Sequence, residues 1–296
     1  DISQGRNSKS YVKISDVLPQ VYEEISELSQ GKDISGIPTG FLDLDKILYG
    51  LHSPDLVLVA ARPGMGKTAF MLNLAQYAAV KKNVPVAVFN LEMSNEQLVK
   101  RIISSEANID SEKLRSGQLT TDDWNNFAGI FDTLGNAPIY FDDNTDMTVT
   151  SIRAKCRKLK LEKGIKLVIV DYLQLMKSGG YSDSRVNEVS DISRSLKVMA
   201  RELEVPVVVG SQLSREVEKR ADKRPMLSDL RESGAIEQDA DIVLFLYRDD
   251  YYNKESQFKN IAEVIIGKHR NGATGTVQLA YEPTRMAFRN VAFMGN

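Results

Sequence analysis

The stretch from Leu56 to Ala75, LVLVAARPGMGKTAFMLNLA, limits the possible folds of this chain more than any other part of the sequence. An apolar run is followed by a glycine-containing loop that ends in Gly66, Lys67 and Thr68, and then by residues typical of a helix. Strand, loop and helix in this order are typical of a phosphate-binding loop, whose strict pattern is G-x-x-x-x-G-K-[ST]. The first glycine of that pattern is replaced here by Ala61.

The loop residues differ in what they are expected to contribute to phosphate binding. Gly66 allows the backbone to approach the phosphates, Lys67 supplies charge to the β and γ phosphates, and Thr68 offers a hydroxyl to Mg²⁺. Ala61 is tolerated if its φ is negative, and Gly64 supplies additional backbone freedom. An ordinary glycine-rich turn is the alternative, but the flanking strand and helix favour a nucleotide site. The candidate nucleotide-binding residues of the loop are Ala61, Arg62, Pro63, Gly64, Met65, Gly66, Lys67, Thr68 and Ala69.

Short apolar runs rich in Val, Ile and Leu recur after residue 56, and they alternate with helical patterns. Such continuous runs suit strands that are covered on both faces, as in a parallel sheet. The predicted strands are Leu56–Ala61, Val86–Leu91, Ile139–Phe141, Leu167–Val170, Val207–Gly210, Ile242–Leu246, Ala262–Ile266, Thr276–Ala280 and Met286–Arg289. We therefore predict an α/β fold with a mostly parallel central sheet flanked by helices.

Three helices between these strands have recognisable ends or faces. Ser94 and Gln97 form a capping box that opens one helix. Thr148 is expected to cap a second helix, which Gly164 ends. The third helix carries an apolar face made of Val186, Val189, Ile192, Leu196, Met199 and Leu203.

The beginning of the chain differs from this pattern. Residues 1–10 are polar and are expected to form a flexible tail. Residues 11–33 are predicted to form an amphipathic linker helix closed by Gly31, and residues 34–296 one doubly wound α/β domain. The apolar face of the helix either packs on its own domain or docks on a neighbouring subunit, and periodicity does not decide between these. That face contains Ile14, Val17, Leu18, Val21, Tyr22, Ile25 and Leu28.

Composition excludes several classes of protein. The net charge is -2, so any contact with nucleic acid must come from a local patch. Cys156 is the single cysteine, which excludes an internal disulfide and fits a reduced, cytoplasmic setting. His52 and His269 lie far apart and form no zinc signature with it. No apolar stretch approaches the length of a membrane span, and we expect neither a membrane contact nor a signal peptide.

Polar side chains follow three of the predicted strands. Asp171 ends the run LVIVD, where a carboxylate faces the crevice beyond the strand and can hold Mg²⁺. Glu92 follows another strand and is a candidate for polarising the attacking water, while Gln212 follows a third and is a candidate γ-phosphate sensor. Each has an ordinary alternative: a loop-capping Asp, a surface Glu and a Gln that satisfies loop backbone. Together with the loop they make a stronger case than any of them alone.

Longer motifs carry a resemblance to a known family. They are SGIPTGFLDLDKILYGL (35–51), NLEMS (90–94), DLRESGAIEQDAD (229–241) and GKHRNGATG (267–275). In combination these motifs closely resemble the DnaB-type replicative DNA helicases over their RecA-like motor domain and the preceding linker helix. Members of that family commonly have alanine at the first loop position. The family's N-terminal domain, which binds primase and forms a collar, has no counterpart in this sequence.

The resemblance implies a homo-hexameric ring that uses ATP or another NTP with Mg²⁺ to move 5′→3′ along single-stranded DNA and unwind duplex at the replication fork. It implies that Lys67 contacts phosphate, that Thr68 and Asp171 hold the metal, that Glu92 is the catalytic glutamate and that Gln212 senses the nucleotide. Primase and a helicase loader are further partners that the resemblance implies.

The resemblance also implies roles for residues outside the strand ends. Arg101 matches an arginine near the nucleotide, and Lys268 and Arg270 resemble a cationic pair inserted into the neighbouring subunit's active site. A basic hairpin turn is the alternative for that pair, because Asn271–Gly272 is a turn signal. Candidate contacts to the DNA backbone are Arg231, Glu232 and Gly234.

Three interpretations remain open from the sequence. Besides a helicase motor, a RecA-like recombinase shares the sheet, the phosphate loop and the glutamate, and a nucleotide-gated regulatory ATPase is a non-motor possibility. The RESG stretch favours the helicase. The basic run REVEKRADKRP (215–225) is expected to form a mobile surface loop, since charge runs are usually solvated.

Overall fold

The computed structural model of the chain describes residues 12–29, 35–176 and 185–291. Within these ranges the side chains of residues 24, 27, 28, 185 and 231–234 are not described, and the predicted tail at residues 1–10 lies outside the described part. The chain separates into two units, Asp1–Ser35 and Gly36–Asn296. The first contains one described helix and the second contains the sheet.

A nine-stranded sheet in the order β3-β2-β4-β5-β1-β6-β7-β8-β9 forms the centre of the second unit. The strands from β3 to β6 in this order run parallel, and β7, β8 and β9 extend the sheet antiparallel. All the strands predicted from the sequence are present, and the α/β fold with a mostly parallel sheet is confirmed. The strands are β1 Leu56–Ala61, β2 Val86–Asn90, β3 Ile139–Asp142, β4 Leu167–Asp171, β5 Val207–Gln212, β6 Ile242–Tyr247, β7 Ile261–His269, β8 Gly275–Glu282 and β9 Ala287–Asn290.

The apolar strands are explained by burial on both faces of the sheet. In β1, Val57 and Val59 belong to one core cluster, with helices that include α3, whereas Leu56 and Leu58 belong to the other, with α7 and α8. Side chains of a strand alternate between the two faces, so every position of β1 faces a core. The described α-helices are α1 Ile14–Ser29, α2 Leu42–Leu48, α3 Lys67–Gln76, α4 Asn95–Glu106, α5 Ser111–Ser116, α6 Thr121–Gly135, α7 Val149–Lys163, α8 Arg185–Leu203, α9 Gly234–Asp239 and α10 Asp249–Tyr252.

The predicted helix ends at Ser94, Thr148 and Gly164 are confirmed, whereas the predicted end at Gly31 lies outside the described residues. Ser94 accepts a hydrogen bond from the Gln97 backbone N–H, and the Gln97 side chain accepts one from the Ser94 N–H, which completes the capping box of α4. Thr148 caps α7 in the same way with Ser151. Gly164 ends α7 with a φ of 64°, which favours glycine.

Two expectations about helices are corrected. Val186 was placed on the apolar face of α8, but it is 47% exposed in the first turn, while the other members of that face are buried. The sequence patterns predicted no element within residues 107–138, where α5 and α6 form. Helix α6 begins with a capping box of Thr120 and Asp123, and its exposed side carries Trp124 and Phe131.

The amphipathic helix predicted at the start of the chain is α1. Its apolar side chains at Ile14, Leu18, Tyr22 and Ile25 are 59–77% exposed, and Val17 and Val21 are each 41% exposed. None of the helices in the described part of the chain combines the length and apolar composition that a membrane crossing requires.

The burial of Cys156 gives a testable property of the fold. The side chain is 0% exposed on the inner face of α7, and burial raises the pKa of its thiol from 9.0 to about 12. At pH 8 we expect the native thiolate to be about a thousandfold less populated than in the unfolded chain, because each pH unit changes the ratio tenfold. An aromatic disulfide reagent should therefore label the native protein only as fast as it unfolds. A Ser116→Cys variant supplies an exposed control thiol that should react at once; equally fast labelling of both sites would contradict this packing.

Candidate nucleotide-binding site

Ala61 is an ordinary strand residue. It ends β1, pairs with Gln212 of β5 on one side and with Leu246 of β6 on the other, and is 1% exposed. Its backbone is not among those with positive φ, whereas Gly64 and Gly66 have φ of 83° and 96°. The loop therefore uses glycine where its backbone enters the left-handed region, and position 61 does not need one.

Gly66 is fixed by both conformation and space. A Cβ at this position would lie 2.9 Å from the ring of Phe288 in β9, closer than carbon atoms approach without movement. Met65 anchors the loop with a side chain that is 1% exposed, and Ala69 is buried in the first turn of α3. Strand β9 thus packs against the loop from outside and sets its shape.

Lys67 and Thr68 converge on the carboxylate of Asp171. The Lys67 ammonium donates a hydrogen bond to Oδ1, and the Thr68 hydroxyl donates one to Oδ2. The ammonium also lies 4.1 Å from the ring centre of Tyr172. Burial lowers the pKa of Lys67, while the charge of Asp171 and its hydrogen bond oppose that shift.

The oxygen atoms of Thr68 and Asp171 fit a Mg²⁺ ion. Both are hard donors, and Mg²⁺ commonly takes one or two protein ligands and completes its shell with phosphate oxygens and water. The described residues contain no group of three or more His, Cys, Asp or Glu that could hold a metal ion by themselves. A metal here would depend on a bound phosphate chain.

Glu92 is exposed at the rim of the same site, in a turn that the sequence analysis did not explain. The buried side chain of Asn90 accepts hydrogen bonds from the N–H groups of Glu92 at 2.9 Å and Met93 at 2.6 Å. The Leu91 N–H donates to the carbonyl of Asp171 at 2.9 Å. The turn is therefore fixed to the end of β4. Asn90 was missed, although an asparagine that caps the next two residues is a known turn signal.

Arg101 reaches the site from α4, whose direction is set by the capping box at Ser94. Burial lowers the pKa of its guanidinium, and the charges of Asp171 and Glu92, with Tyr281, oppose the shift. Arg101 therefore lies close enough to interact electrostatically with both carboxylates. This agrees with the expected position near the nucleotide.

Gln212 lies at the end of β5 with its side chain exposed. Its backbone is held by Gln174, whose side chain accepts from the Gln212 N–H at 3.1 Å and donates to the Gln212 carbonyl at 3.1 Å. Gln174 also donates to the Ser211 hydroxyl at 2.9 Å. The sequence analysis did not identify Gln174.

These residues enclose a pocket of about 350 Å³. The loop, α3, Glu92, Arg101 and Gln212 line this pocket together with residues of the β8–β9 hairpin. The hairpin residues, which no sequence signal identified, are Tyr281, Pro283 and Met286. A Cβ added at Gly66 would lie 3.3 Å from the Tyr281 ring, so this aromatic surface lies beside the phosphate loop.

Arg62 lines this pocket, but its guanidinium binds other parts of the protein. The guanidinium is buried, and it donates to Glu218 Oε1 at 2.9 Å and to the Leu213 carbonyl at 2.8 Å. Among the loop residues proposed to bind nucleotide, Arg62 is thus committed to protein partners.

Lys268 and Arg270 are not brought into the pocket. Strand β7 runs antiparallel to β6, so His269 pairs with Ile242 at the start of β6, whereas the loop follows the opposite end of β1. The four steps along the strand from Ile242 to Leu246 correspond to roughly 13 Å. Lys268 donates to the carbonyls of Glu237 at 2.6 Å and Ala240 at 2.7 Å, at the end of α9. Arg270 lies 3.4 Å from Asp241.

The candidate DNA contacts are only partly described. The backbones of Arg231 and Glu232 lie in the 3₁₀ segment Leu227–Ser233, and Gly234 begins α9. The side chains of residues 231–234 lie outside the described part of the chain.

The basic run at 215–225 is tied to the domain, in contrast to the expected mobile loop. Arg220 makes a two-point contact with Asp229 at 2.7 and 2.9 Å, and Arg224 does the same with Glu263 at 2.7 and 2.8 Å. Two of its arginines therefore neutralise carboxylates of this chain.

Comparisons with known proteins assign the chain to a family. The model of the DnaB-like helicase C terminal domain matches residues 36–290. The chain belongs to this family. It is 56% identical over 283 residues to the replicative DNA helicase DnaB of Geobacillus stearothermophilus, covering 95% of this chain and 62% of that protein. It is 53% identical over 293 residues to the replicative DNA helicase DnaC of Bacillus subtilis (strain 168), covering 98% of this chain and 64% of that protein.

Solved structures of the family have the same fold. The ATPase domain of G40P superimposes with a TM-score of 0.91 at 46% identity, covering 95% of this chain and 99% of that one. A DnaB-like replicative helicase, described together with its interactions with primase, gives a TM-score of 0.87 at 46% identity and covers 95% of this chain and 67% of that one. The chain spans less than two thirds of the length of its two curated relatives above.

The role of Gly66 in shaping the loop can be measured by substitution. We expect Gly66→Ala to lower the free energy of unfolding by about 2–4 kcal/mol, because a left-handed backbone and a close contact with Phe288 both penalise a Cβ. Gly117 is a matched control, since it has a φ of 75° but nothing within 4 Å of the added atom. Gly117→Ala should cost about 1 kcal/mol. Equal losses in urea denaturation would show that Phe288 does not shape the loop.

Proposed function

We propose that this chain is the motor unit of a replicative DNA helicase, which hydrolyses ATP with Mg²⁺ between the subunits of a homo-hexameric ring and moves along single-stranded DNA. The observation that carries the proposal is the meeting of the phosphate loop, Asp171, Glu92 and Gln212 at one edge of the sheet. They follow β1, β4, β2 and β5, which are consecutive neighbours in the strand order β2-β4-β5-β1. Membership of the DnaB-like family and the resemblance of the RESG and GKHRNG motifs favour a helicase over a recombinase or a regulatory ATPase.

Each of the main residues of the pocket has a different role in hydrolysis. The backbone N–H groups of the loop and the start of α3 bind the phosphates, and Lys67 exchanges its contact with Asp171 for the β and γ phosphates. Thr68 and Asp171 would hold Mg²⁺, which would supply positive charge to the phosphate oxygens. Glu92 orients a water molecule and accepts its proton during in-line attack. Gln212 donates its amide to the γ-phosphate, and Arg101 adds positive charge at the rim.

The hairpin wall completes the nucleotide site. Tyr281 is held in place by Arg248, whose guanidinium lies 4.1 Å from the ring centre, and by Phe288, whose ring centre lies 4.9 Å away. An aromatic and apolar surface beside the phosphate loop suits the flat, weakly polar base of a nucleoside triphosphate. We place the base against Tyr281, Pro283 and Met286.

The role of Glu92 is tested by Glu92→Gln. The amide keeps the size of the side chain but cannot accept the proton, so we expect hydrolysis to fall at least about 100-fold while nucleotide affinity is retained. Binding is measured with a fluorescent ATP analogue and turnover by phosphate release. Glu96→Gln is the control, because Glu96 is exposed in the first turn of α4 outside the pocket and should leave both values unchanged. A variant at position 92 that loses binding instead would contradict the assigned role.

A second copy is required for the complete site. Lys268 and Arg270 lie at the end of the sheet opposite the loop, so their own pocket is out of reach. In a ring, the same cations reach the γ-phosphate bound by the next subunit and neutralise charge in the transition state. The exposed apolar face of α1 and the exposed aromatic side chains of α6 supply surface for such an assembly.

The action of Arg270 across a subunit boundary is tested by mixing subunits. We expect Arg270→Ala to lower hydrolysis by about 10³-fold or more, as removal of a cation in trans does elsewhere. When Arg270→Ala subunits are mixed evenly with Lys67→Ala subunits, activity should return, because about a quarter of the sites then combine an intact loop from one subunit with an intact Arg270 from the next. A mixture of Lys67→Ala with Glu92→Gln is the control, since both changes damage the same side of the site and no pairing restores it. Absence of recovery in the first mixture would contradict action in trans.

DNA contact is assigned to the RESG segment. Arg231 contacts phosphate by charge and Gly234 by its backbone N–H, while Glu232 lies beside them. Such contacts position a strand without reading its sequence, and a few in each subunit are repeated around the ring. This agrees with a net charge of only -2 for the whole chain.

The remaining assignments are those that the resemblance to the family implies. We propose 5′→3′ movement at the replication fork in the cytoplasm. One solved relative is described together with its interactions with primase, and we propose primase and a helicase loader as partners of this protein.

A further inference from the structure

Arg62 connects the phosphate loop with the segment that follows β5. Its buried guanidinium bonds Glu218 at 2.9 Å and the Leu213 carbonyl at 2.8 Å. The N–H of Leu213 in turn donates to the carbonyl of Ala61 at 3.1 Å. Two consecutive residues at the start of the loop therefore hold Leu213 through its N–H and its carbonyl.

The same segment is bonded to the 3₁₀ segment Leu227–Ser233, which contains the first candidate DNA contacts. The N–H of Ser214 donates to the carbonyl of Asp229 at 3.3 Å. Arg220 makes its two-point contact with the Asp229 carboxylate, and the Met226 N–H donates to it at 2.8 Å. Asp229 lies two positions before Arg231. Continuous polar contacts thus run from the phosphate loop to the beginning of the RESG segment.

The segment is packed firmly enough to move as a unit. Val217, within the 3₁₀ turn Arg215–Lys219, is 0% exposed, and Leu213 and Leu230 are 2% and 3% exposed. A displacement of its anchor at Arg62 is therefore transmitted by packed side chains and is not absorbed by a loose loop.

We propose that the Arg62–Glu218 ion pair is a positioning contact that transmits the state of the phosphate loop to the DNA-contact segment; this inference rests on the proposed function. It is separate from the connection through Gln212, which senses the γ-phosphate directly. Binding of a triphosphate moves the loop backbone at Arg62, and the guanidinium carries Glu218 and Leu213 with it. Asp229 then shifts the backbone of the RESG segment, so that a bound nucleotide changes the affinity of the protein for DNA.

The strength of this contact follows from burial. The Arg62 side chain is 9% exposed, so the guanidinium is shielded from water, and Glu218 is its carboxylate partner among the described contacts. The hydrogen bond from Arg62 lowers the pKa of Glu218, which keeps the pair ionised. Removing Glu218 leaves a buried charge with the Leu213 carbonyl, and such a loss weakens the connection more than the loss of a surface pair.

The test uses the full chain and measures how nucleotide changes DNA affinity. The dissociation constant for a fluorescent oligo-dT strand is determined with and without a non-hydrolysable ATP analogue, and the ratio of the two measures the coupling. We expect Glu218→Ala to reduce this ratio at least about fivefold, which is within the range of measured couplings, while hydrolysis without DNA stays within about twofold of wild type. Glu216→Ala is the matched control, because it removes the same charge from the same turn but only breaks an exposed pair with Lys219.

A double-mutant cycle separates the pair from general effects. If Arg62 acts through Glu218, Arg62→Met combined with Glu218→Ala should reduce the ratio no further than the more severe single variant. Glu218→Gln keeps the volume and one acceptor, and it replaces the alanine variant if the latter unfolds.

The outcomes distinguish this inference from the proposed function. A folded Glu218→Ala protein with the wild-type ratio overturns the inference and leaves the helicase proposal intact. A wild-type protein whose DNA affinity does not respond to nucleotide overturns both. Equal reductions in Glu218→Ala and Glu216→Ala would assign the effect to charge alone and would also overturn it.

Discussion

The carboxylate of Asp171 organises the candidate site. One oxygen accepts from Lys67 and the other from Thr68, while the carbonyl of the same residue accepts from Leu91 in the turn that presents Glu92. A charged group at 2% exposure is stable only when it is fully paired, and these contacts supply the pairing. The same contacts align a strand end, a helix start and a turn from three different parts of the sequence. A phosphate chain that enters the pocket therefore finds these groups already in position to bind it.

The fold was predictable because the physical causes are local. Most strands of the parallel part are buried on both faces, so their residues read as an uninterrupted apolar run, as in Leu56–Ala61 and Leu167–Val170, whereas the edge strand β3 is half-buried. The caps at Ser94, Thr148 and Gly164 follow from side chains within three residues of the helix end or from a left-handed backbone. Helix α6 was not predicted from the sequence, because most of its residues are exposed and its aromatic side chains suggested no buried face.

The site was predictable to the extent that it lies at strand ends. Asp171, Glu92 and Gln212 could be grouped because parallel strands end at the same edge of a sheet. Tyr281, Pro283 and Met286 could not, since their approach to the loop depends on how the antiparallel hairpin folds back over it. The direction of Arg62 is another example. Position in the loop motif predicted a nucleotide contact, whereas the guanidinium turns to a carboxylate 156 positions later in the chain. Local sequence carries no information about such a partner.

The packing of Phe288 against Gly66 affects the order in which parts of the protein reach their final structure during synthesis. Phe288 also donates its backbone N–H to Asn73 of α3 at 2.8 Å, across 215 positions of the chain. A ribosome that has made the loop and α3 has therefore not yet made the strand that shapes them. The loop therefore reaches its described shape only after β9, more than 200 positions later in the chain, has joined the sheet.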